Sequence, residues 1–509
     1  MERKRKKRSK NSILRAVFVA VSIFFQVGWL LLLILRLNEY FAWISLLTSV
    51  LAVLVVLQLY SRQTTAALKT PWIMLILAFP VMGLSLYLMI EIFGDLGKTG
   101  KYLKSARKKT AELLPKEEKP AARLEPSASN ISRYVQRYGG NALYGNTRVR
   151  YFGEGKDAFE QMKRELEKAE KFIFLEYFIV AEGSSFRELR EILQRKAKQG
   201  VDVRFLYDDI GSIGYASLRF AADLNKAGIQ CRVFNPALPV LNLFMNHRDH
   251  RKITVIDGKV GFTGGYNLSD EYFDRIHPYG KWKDTGILLE GEAVRSLTAQ
   301  FLEMWYITTH REEDWSRFLK VSHSVSARGF VQPFGDDPMG EERMAENVYL
   351  NLIARAKERL YIATPYLIIT DEMNSALTLA AKRGVDVRII TPGIPDKKTV
   401  YGLTRSYYPD LAGQGVRIYE YTPGFLHAKQ MLCDSDLVSI GTSNLDYRSL
   451  YLHFENNVLL YDCDAVSEIA ADFEALFPQC REVTAEYGNK RKKRPYLWQC
   501  ILRLFAPLM

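Results

Sequence analysis

One pattern occurs twice in this chain, and it restricts the folds open to the rest. His250, Lys252 and Asp257 stand in the spacing H-x-K-x4-D, and His427, Lys429 and Asp434 repeat it. The chain has only seven histidines, and chance places one such match in roughly 40 chains of this composition; two are far rarer. The motifs lie inside a longer repeat. Residues 197–204, Ala-Lys-Gln-Gly-Val-Asp-Val-Arg, return 184 positions later as Ala-Lys-Arg-Gly-Val-Asp-Val-Arg at 381–388. An apolar run precedes each copy (Phe172 to Val180, Leu360 to Ile369). An asparagine follows each motif histidine by 17 residues, Asn267 in one half and Asn444 in the other. The period is much longer than that of solenoids or propellers and marks a duplicated domain. Two half-sites facing each other across a pseudo-dyad would form one active site.

Within each half, strand alternates with helix. Runs of β-branched and aromatic residues predict helix over 156–170, strand over 172–179, helix over 185–199 and strand over 201–207. The second half repeats this as helix 341–357, strand 359–364, helix 373–383 and strand 385–391. The fold class is therefore α/β, with right-handed crossovers. Each motif opens a short apolar run, 253–256 or 430–432, so His and Lys lie two apart on one strand face and point into one cleft.

Charge and hydropathy divide the remainder. The net charge is +13, but the first ten residues hold seven Lys/Arg and one Glu, 98–109 hold six Lys/Arg and no acid, and 490–494 hold five, leaving −4 elsewhere. A nucleic-acid enzyme spreads positive charge over its catalytic face, so no nucleic-acid partner is expected. Here the charge flanks hydrophobic segments, as suits anionic lipid headgroups. Those segments, 16–35, 40–60 and 72–92, are each about long enough to cross a ~30 Å hydrocarbon core. They predict a multi-pass cell-membrane protein. The third, containing Pro80 and Gly83, is the candidate for a re-entrant or interfacial path. The positive-inside rule puts both the basic tail and the 98–109 run in the cytoplasm, whereas three full crossings would set them on opposite sides, so either one segment does not span or the rule fails here; the catalytic region is expected in the cytoplasm. Five scattered cysteines without a CxxC pair suggest a reducing compartment and no disulfide framework.

The expected layout is a basic tail (1–15), a membrane region (16–95), a basic and Pro-rich linker (96–130), a first half (131–320), a second half (321–483) and a basic amphipathic tail (484–509). The tail suits either a short interfacial helix with an aromatic anchor or packing onto the domain. The apolar stretch 238–245 suits either a wall for acyl chains or core.

A phosphodiester offers an anionic phosphorus and a poor alkoxide leaving group. One neutral imidazole can attack phosphorus, giving a phosphohistidine, while a second, protonated, donates to the departing oxygen. The pair shares one proton, so rate should be bell-shaped in pH. The candidate catalytic set is His250, Lys252, Asp257, His427, Lys429 and Asp434. The lysines are placed to neutralise charge on the non-bridging oxygens; the aspartates suit a supporting position better than a chemical one. Asn267, Asn444, Asp284 and Glu455 stand on the substrate side, and an acid of each half could orient an imidazole. No metal or cofactor is expected. His247, three before His250, lacks a third ligand at suitable spacing, and His277, His310, His323 and His453 have no motif around them.

The duplicated motif with its trailing Gly-x-x-Asn, Gly264 to Asn267 and Gly441 to Asn444, resembles the phospholipase D superfamily. The hydrophobic leader, the context from Asn246 to Lys252, the stretch Gly264 to Tyr272 and the closing Leu504 to Leu508 resemble bacterial cardiolipin synthases of that superfamily. The resemblance covers nearly the whole chain. It implies two pseudo-symmetric phospholipase D-like α/β/α halves sharing one active site behind an N-terminal transmembrane region. It also implies phosphatidylglycerol and anionic membrane lipid as partners, cardiolipin and glycerol as products, His250 as nucleophile, His427 as acid then base, and no metal or nucleotide. Two hydrophobic segments are expected on that resemblance, whereas this chain has three. The residues leave open a phospholipase D acting with water and a transferase using another alcohol. A nuclease or a non-catalytic lipid-binding scaffold fits less well, and oligomeric state is not legible.

Overall fold

The repeat folds into two sheets of matching strand order in the computed structural model. The structure describes residues 42–62, 64–93, 96–115, 119–237, 246–340, 342–488 and 497–508, with scattered positions between 17 and 35. The first half holds β1 (Thr147–Phe152), β2 (Phe172–Tyr177), β3 (Asp202–Asp208), β4 (Gln230–Phe234), β5 (Arg248–Asp249), β6 (Lys252–Ile256), β7 (Val260–Gly264), β8 (Lys281–Lys283) and β9 (Gly286–Gly291). The second holds β10 (Phe330–Asp336), β11 (Arg359–Ala363), β12 (Asp386–Pro392), β13 (Arg417–Tyr421), β14 (Gly424–Leu426), β15 (Gln430–Cys433), β16 (Leu437–Gly441), β17 (His453–Tyr461) and β18 (Cys480–Glu482). The sheets run β1-β9-β7-β6-β2-β3-β4 and β10-β17-β16-β15-β11-β12-β13-β18, the same order with one strand added at the second edge.

Each sheet is mixed. β2, β3 and β4 are parallel, joined through helices such as Ser184–Lys198, while β6, β7, β9 and β1 pair antiparallel. The expected helices and strands all form, with ends shifted by a few residues. Helix Gly155–Glu167 shows why. It buries Ala158, Phe159, Met162 and Leu166, one apolar stripe at helical spacing, against a strand that is buried along its whole length.

The halves share a core. One cluster unites Phe174 and Ile253 of the first sheet with Tyr361, Leu432 and Val458 of the second, together with Leu297, Phe301 and Met304 of helix Val294–Thr309. Backbone pairing also crosses between them. β5 pairs with the start of β17, and β14 pairs with β8. Neither half can complete its own hydrogen bonds at these points.

Three expectations need correction. Residues 96–130 do not form a linker. Helix Leu96–Leu113 buries Leu103 and Ala106 in the shared core, and Arg107 pairs with Asp337 while Lys109 pairs with Glu312. The spaced apolar positions of this basic run make it an amphipathic helix, and Glu125 then caps helix Pro126–Gly139.

Second, among the described residues no helix is long and apolar enough to cross a membrane. Segment 16–35 is described only in part. Segment 40–60 forms helix Ala42–Ser61, and 72–92 is broken at Phe79 into Ala66–Ala78 and Pro80–Phe93. Pro80 cannot donate the backbone bond that would continue the helix. At 13 and 14 residues, each piece is about 20 Å long, short of a ~30 Å core. The pieces fold together, burying Ala52, Val55, Leu59, Ile76, Leu84 and Tyr87. At Gly83 a Cβ would stand 2.6 Å from the backbone of Ile76, so only glycine allows that approach.

Third, the C-terminal helix Leu497–Phe505 packs onto the domain by one face. Arg503 bonds Ser406 and Gln499 bonds the carbonyl of Gly402, docking one face, while Leu497, Ile501 and Phe505 remain exposed. The basic segments 1–10 and 490–494 and the apolar stretch 238–245 lie outside the described residues.

The motif aspartates belong to the framework. Asp257 and Asp434 both turn the chain at φ 54°. Asp257 accepts from the backbone N–H groups of Glu170, Lys171 and Phe172, at the entry to β2. Asp434 does the same for Lys357, Glu358 and Arg359 at the entry to β11. Each lies at the far end of its motif strand from the histidine, and neither lines the cavity that holds the histidines. Asp257→Ala should therefore lower thermal stability in detergent by about 2–3 kcal/mol through orphaned donors, with a smaller loss for the less buried Asp434→Ala. Specific activity of the folded fraction should stay near wild type; a fully folded but inactive variant would contradict this assignment.

Candidate active site

The two motif histidines stand at one cavity, each held by the opposite half. His250 lies between β5 and β6, and its N–H donates to the carbonyl of Phe454 at 2.9 Å. Its Nδ1 lies 2.9 and 3.0 Å from the two carboxylate oxygens of Glu455 on β17. His427 mirrors this from the second half. Its N–H donates to the carbonyl of Lys283 at 2.7 Å, and its Nδ1 lies 2.6 Å from Asp284 Oδ2. A carboxylate only accepts, so each neutral ring carries its hydrogen on Nδ1 and leaves the Nε2 lone pair for chemistry. Asp284 and Glu455, expected on the substrate side, are wholly buried and absent from the cavity lining. They orient the imidazoles. Gly265 makes room for this: a Cβ there would stand 2.1 Å from Asp284 Oδ1. At the matching position, Thr442 bonds Glu455.

The lysines sit behind the histidines. Lys252 and Lys429 are buried, do not line the cavity, and each donates Nζ to the carbonyl oxygen of its own motif histidine. Their charge therefore acts through the field rather than by lining the site. Burial, then the neighbouring lysine charges, holds both imidazoles well below the usual 6.5. Burial also pushes Lys252 down to about 7 and Lys429 down to about 8, and raises Asp284 to about 7. An entering phosphate anion supplies the counter-charge that favours the cationic forms again.

The cavity, about 770 Å³, is lined by both histidines, Asn267 and Asn444. Asn267 is committed to structure, accepting from Ile179 N–H and donating to Tyr272. The Asn444 carbonyl is buried without a partner. Aromatic rings wall each imidazole: Phe178 at 4.8 Å from His250, Tyr272 and Trp282 at 5.3 and 5.5 Å from His427. Sequence reasoning missed His453, whose ring lies 5.4 Å from His250 and whose Nε2 accepts from Arg448 Nε. A signal existed: His453 stands two residues before Glu455, as Trp282 stands two before Asp284.

His250, His453 and Glu455 offer ligand atoms within 4.8 Å of one another. A cation there would compete with the His250–Glu455 bond and sit beside Lys252 and Arg448, so the donor set suits an orienting network better than a metal. His247 places its Nδ1 on the Leu452 carbonyl instead.

These shifts set the pH dependence. The imidazoles take protons only below the usual 6.5, so nucleophilic capacity should hold down to that value. The lysines lose charge as pH rises through about 7 and then about 8, weakening phosphate stabilisation. With His250 needed neutral and His427 protonated, the profile of kcat/KM should be bell-shaped with both imidazole limbs of the free enzyme below 6.5, and the lysines' loss of charge near 7–8 should depress it further. An acid limb above 6.5 would count against this reading.

A family model described as cardiolipin synthase, PLD-like domain, matches residues 162–305 and 349–477. Cardiolipin synthase 2 of Bacillus cereus is 39% identical over 381 residues, 74% of this chain and 74% of its own. A cardiolipin synthase of Halalkalibacterium halodurans is 35% identical over 469 residues, 89% of this chain and 91% of its own. Among solved structures, phosphatidylserine synthase of Haemophilus influenzae Rd KW20 matches with TM-score 0.54 over 74% of this chain and 98% of its own. At 15% identity that likeness concerns the fold. With both halves matched around the two histidines, this chain belongs to the cardiolipin synthase family with a PLD-like domain.

Proposed function

We propose that the site transfers the phosphatidyl group of one phosphatidylglycerol to the terminal hydroxyl of a second, giving cardiolipin and glycerol. The enzyme is a phosphatidyltransferase, and the observation that carries the reading is the opposed histidine pair at one cavity, each ring held through Nδ1. In the first step His250 Nε2 bonds to phosphorus as the phosphorus–glycerol oxygen bond breaks, and protonated His427 gives that oxygen its hydrogen. In the second, the acceptor hydroxyl bonds to phosphorus, the phosphorus–nitrogen bond breaks, and the hydroxyl proton passes to His427. Atoms and charge balance with these side chains alone. The buried lysines offset charge gathering on the phosphoryl oxygens, and the Asn444 carbonyl is free to meet a hydroxyl. The assignment of attack to His250 rests on the superfamily resemblance.

Contact with lipid belongs to the same reading. Leu47 and Leu57 on helix Ala42–Ser61 are 70% and 60% exposed, Phe79 is exposed, and Leu497, Ile501 and Phe505 are exposed on helix Leu497–Phe505, which touches Ala66–Ala78. Such contiguous apolar surface is expected to meet acyl chains. The basic runs flanking these segments support a cytoplasmic position for the catalytic halves.

Two measurements test this. Reconstituted protein given phosphate- and headgroup-labelled phosphatidylglycerol should yield cardiolipin and glycerol in equal amounts; phosphatidic acid with glycerol would mean water is the acceptor. His250→Ala and His427→Ala should each abolish turnover, and only His427→Ala should accumulate labelled phospho-enzyme. Equal trapping in both would overturn the order of roles. In membranes, the protein should resist alkaline extraction, and a charged thiol reagent should reach the exposed Cys500 only in inside-out vesicles. Labelling in right-side-out vesicles, absent in Cys500→Ser, would reverse the orientation.

A further inference from the structure

The pseudo-dyad leaves two matching positions with opposite charge. Glu271 follows Asn267 by four residues, and Arg448 follows Asn444 by four. Both line the cavity. A buried carboxylate in a cavity that admits an anionic phosphodiester is unfavourable unless it has donors of its own to accept. Ser269 Oγ supplies one of them, on Oε2. Among the described residues no cation pairs with Glu271, and its hydrogen bond to protein is made at Oε2, not Oε1.

Its place is specific. Glu271 sits on the turn Asp270–Phe273 beside Tyr272, whose ring is 5.3 Å from that of His427. Arg448 lies instead beside His453, on the His250 side. In the transfer proposed above, the alcohol departs and arrives on the His427 side, opposite the attacking ring. The carboxylate therefore stands where hydroxyl groups pass.

We infer that Glu271 reads the polyol headgroup, its Oε1 accepting a hydrogen bond from the glycerol hydroxyl next to the one that reacts. The inference rests on the phosphatidyl-transfer reading. In the second step the reacting hydroxyl oxygen bonds to phosphorus, the bond from phosphorus to His250 breaks, and the proton goes to His427. Glu271 holds the neighbouring hydroxyl and exchanges no proton. Alcohols with a second hydroxyl are thereby selected over monohydric ones.

The test is a partition experiment on the full chain in phosphatidylglycerol–detergent micelles. Labelled glycerol and 1-propanol are offered together, and labelled phosphatidylglycerol and phosphatidylpropanol are counted. Both acceptors react with one phosphatidyl-enzyme, so its rate of formation cancels from the product ratio. The wild type should favour glycerol. Glu271→Gln, isosteric and able to keep a bond with Ser269, should lower the glycerol-to-propanol ratio roughly tenfold or more, as expected when one charged hydrogen-bond acceptor is lost. Glu271→Asp provides a second folded variant and should fall between. An unchanged ratio in both variants overturns the assignment. A wild-type preference for ethanolamine over glycerol in a parallel reaction also overturns it, because the carboxylate would then be reading an ammonium group. If the wild type transfers to no acceptor, the phosphatidyl-transfer reading falls and Glu271 falls with it; wild-type product with an unchanged ratio sinks Glu271 alone.

Discussion

The exchange of carboxylates across the pseudo-dyad is the constraint on which the site depends. Glu455 of the second half holds His250, and Asp284 of the first holds His427. The same crossing is made by the backbone, through His250 to Phe454 and His427 to Lys283. An isolated half would carry a histidine with no orienting acid and edge groups without partners. The shared apolar core, with Phe174 and Ile253 against Leu432 and Val458, makes the halves one folding unit for the same reason. Reactivity and association of the halves are therefore coupled physically.

Around that symmetric frame the site is asymmetric where a two-step reaction needs it. Trp282 and His453 occupy matching positions, so one imidazole is backed by an indole and the other by a second imidazole held by Arg448. The orienting acids also differ in length. Asp284 reaches His427 because Gly265 leaves no side chain in the way, whereas the longer Glu455 is steadied by Thr442. Equal halves would give each histidine the same proton affinity. Attack and protonation ask for different ones.

The framework residues explain why the motif reads as it does. In each half the aspartate gathers the N–H groups that open the central strand, fixing that strand against the motif strand. The lysine fills the buried space beneath the histidine. Outside the catalytic halves, the basic helix Leu96–Leu113 spends part of its charge on Asp337 and Glu312, so its role is partly to dock the apolar helices on the body.

The sequence by itself determined the duplication, the α/β class, the positions of the main helices and strands, and the two reactive histidines. All are written in local spacing: apolar periodicity fixes helix and strand, and H-x-K-x4-D fixes the motif. It also suggested Asp284 and Glu455, but not which ring each would serve, because their partners lie 143 and 205 residues away. Glu271 lay within the Gly264–Tyr272 stretch and His453 two residues before Glu455, but neither these nor Arg448 could be given a place at the site, since only the meeting of the two halves makes them its neighbours. The linker expectation failed because amphipathic spacing within a basic run was read as charge alone, whereas the Pro80 already singled out in the third hydrophobic segment is where its helix breaks. Tertiary structure alone decided that each half completes the other, because hydrogen bonds and charges between residues distant in sequence are set by how the two sheets pack.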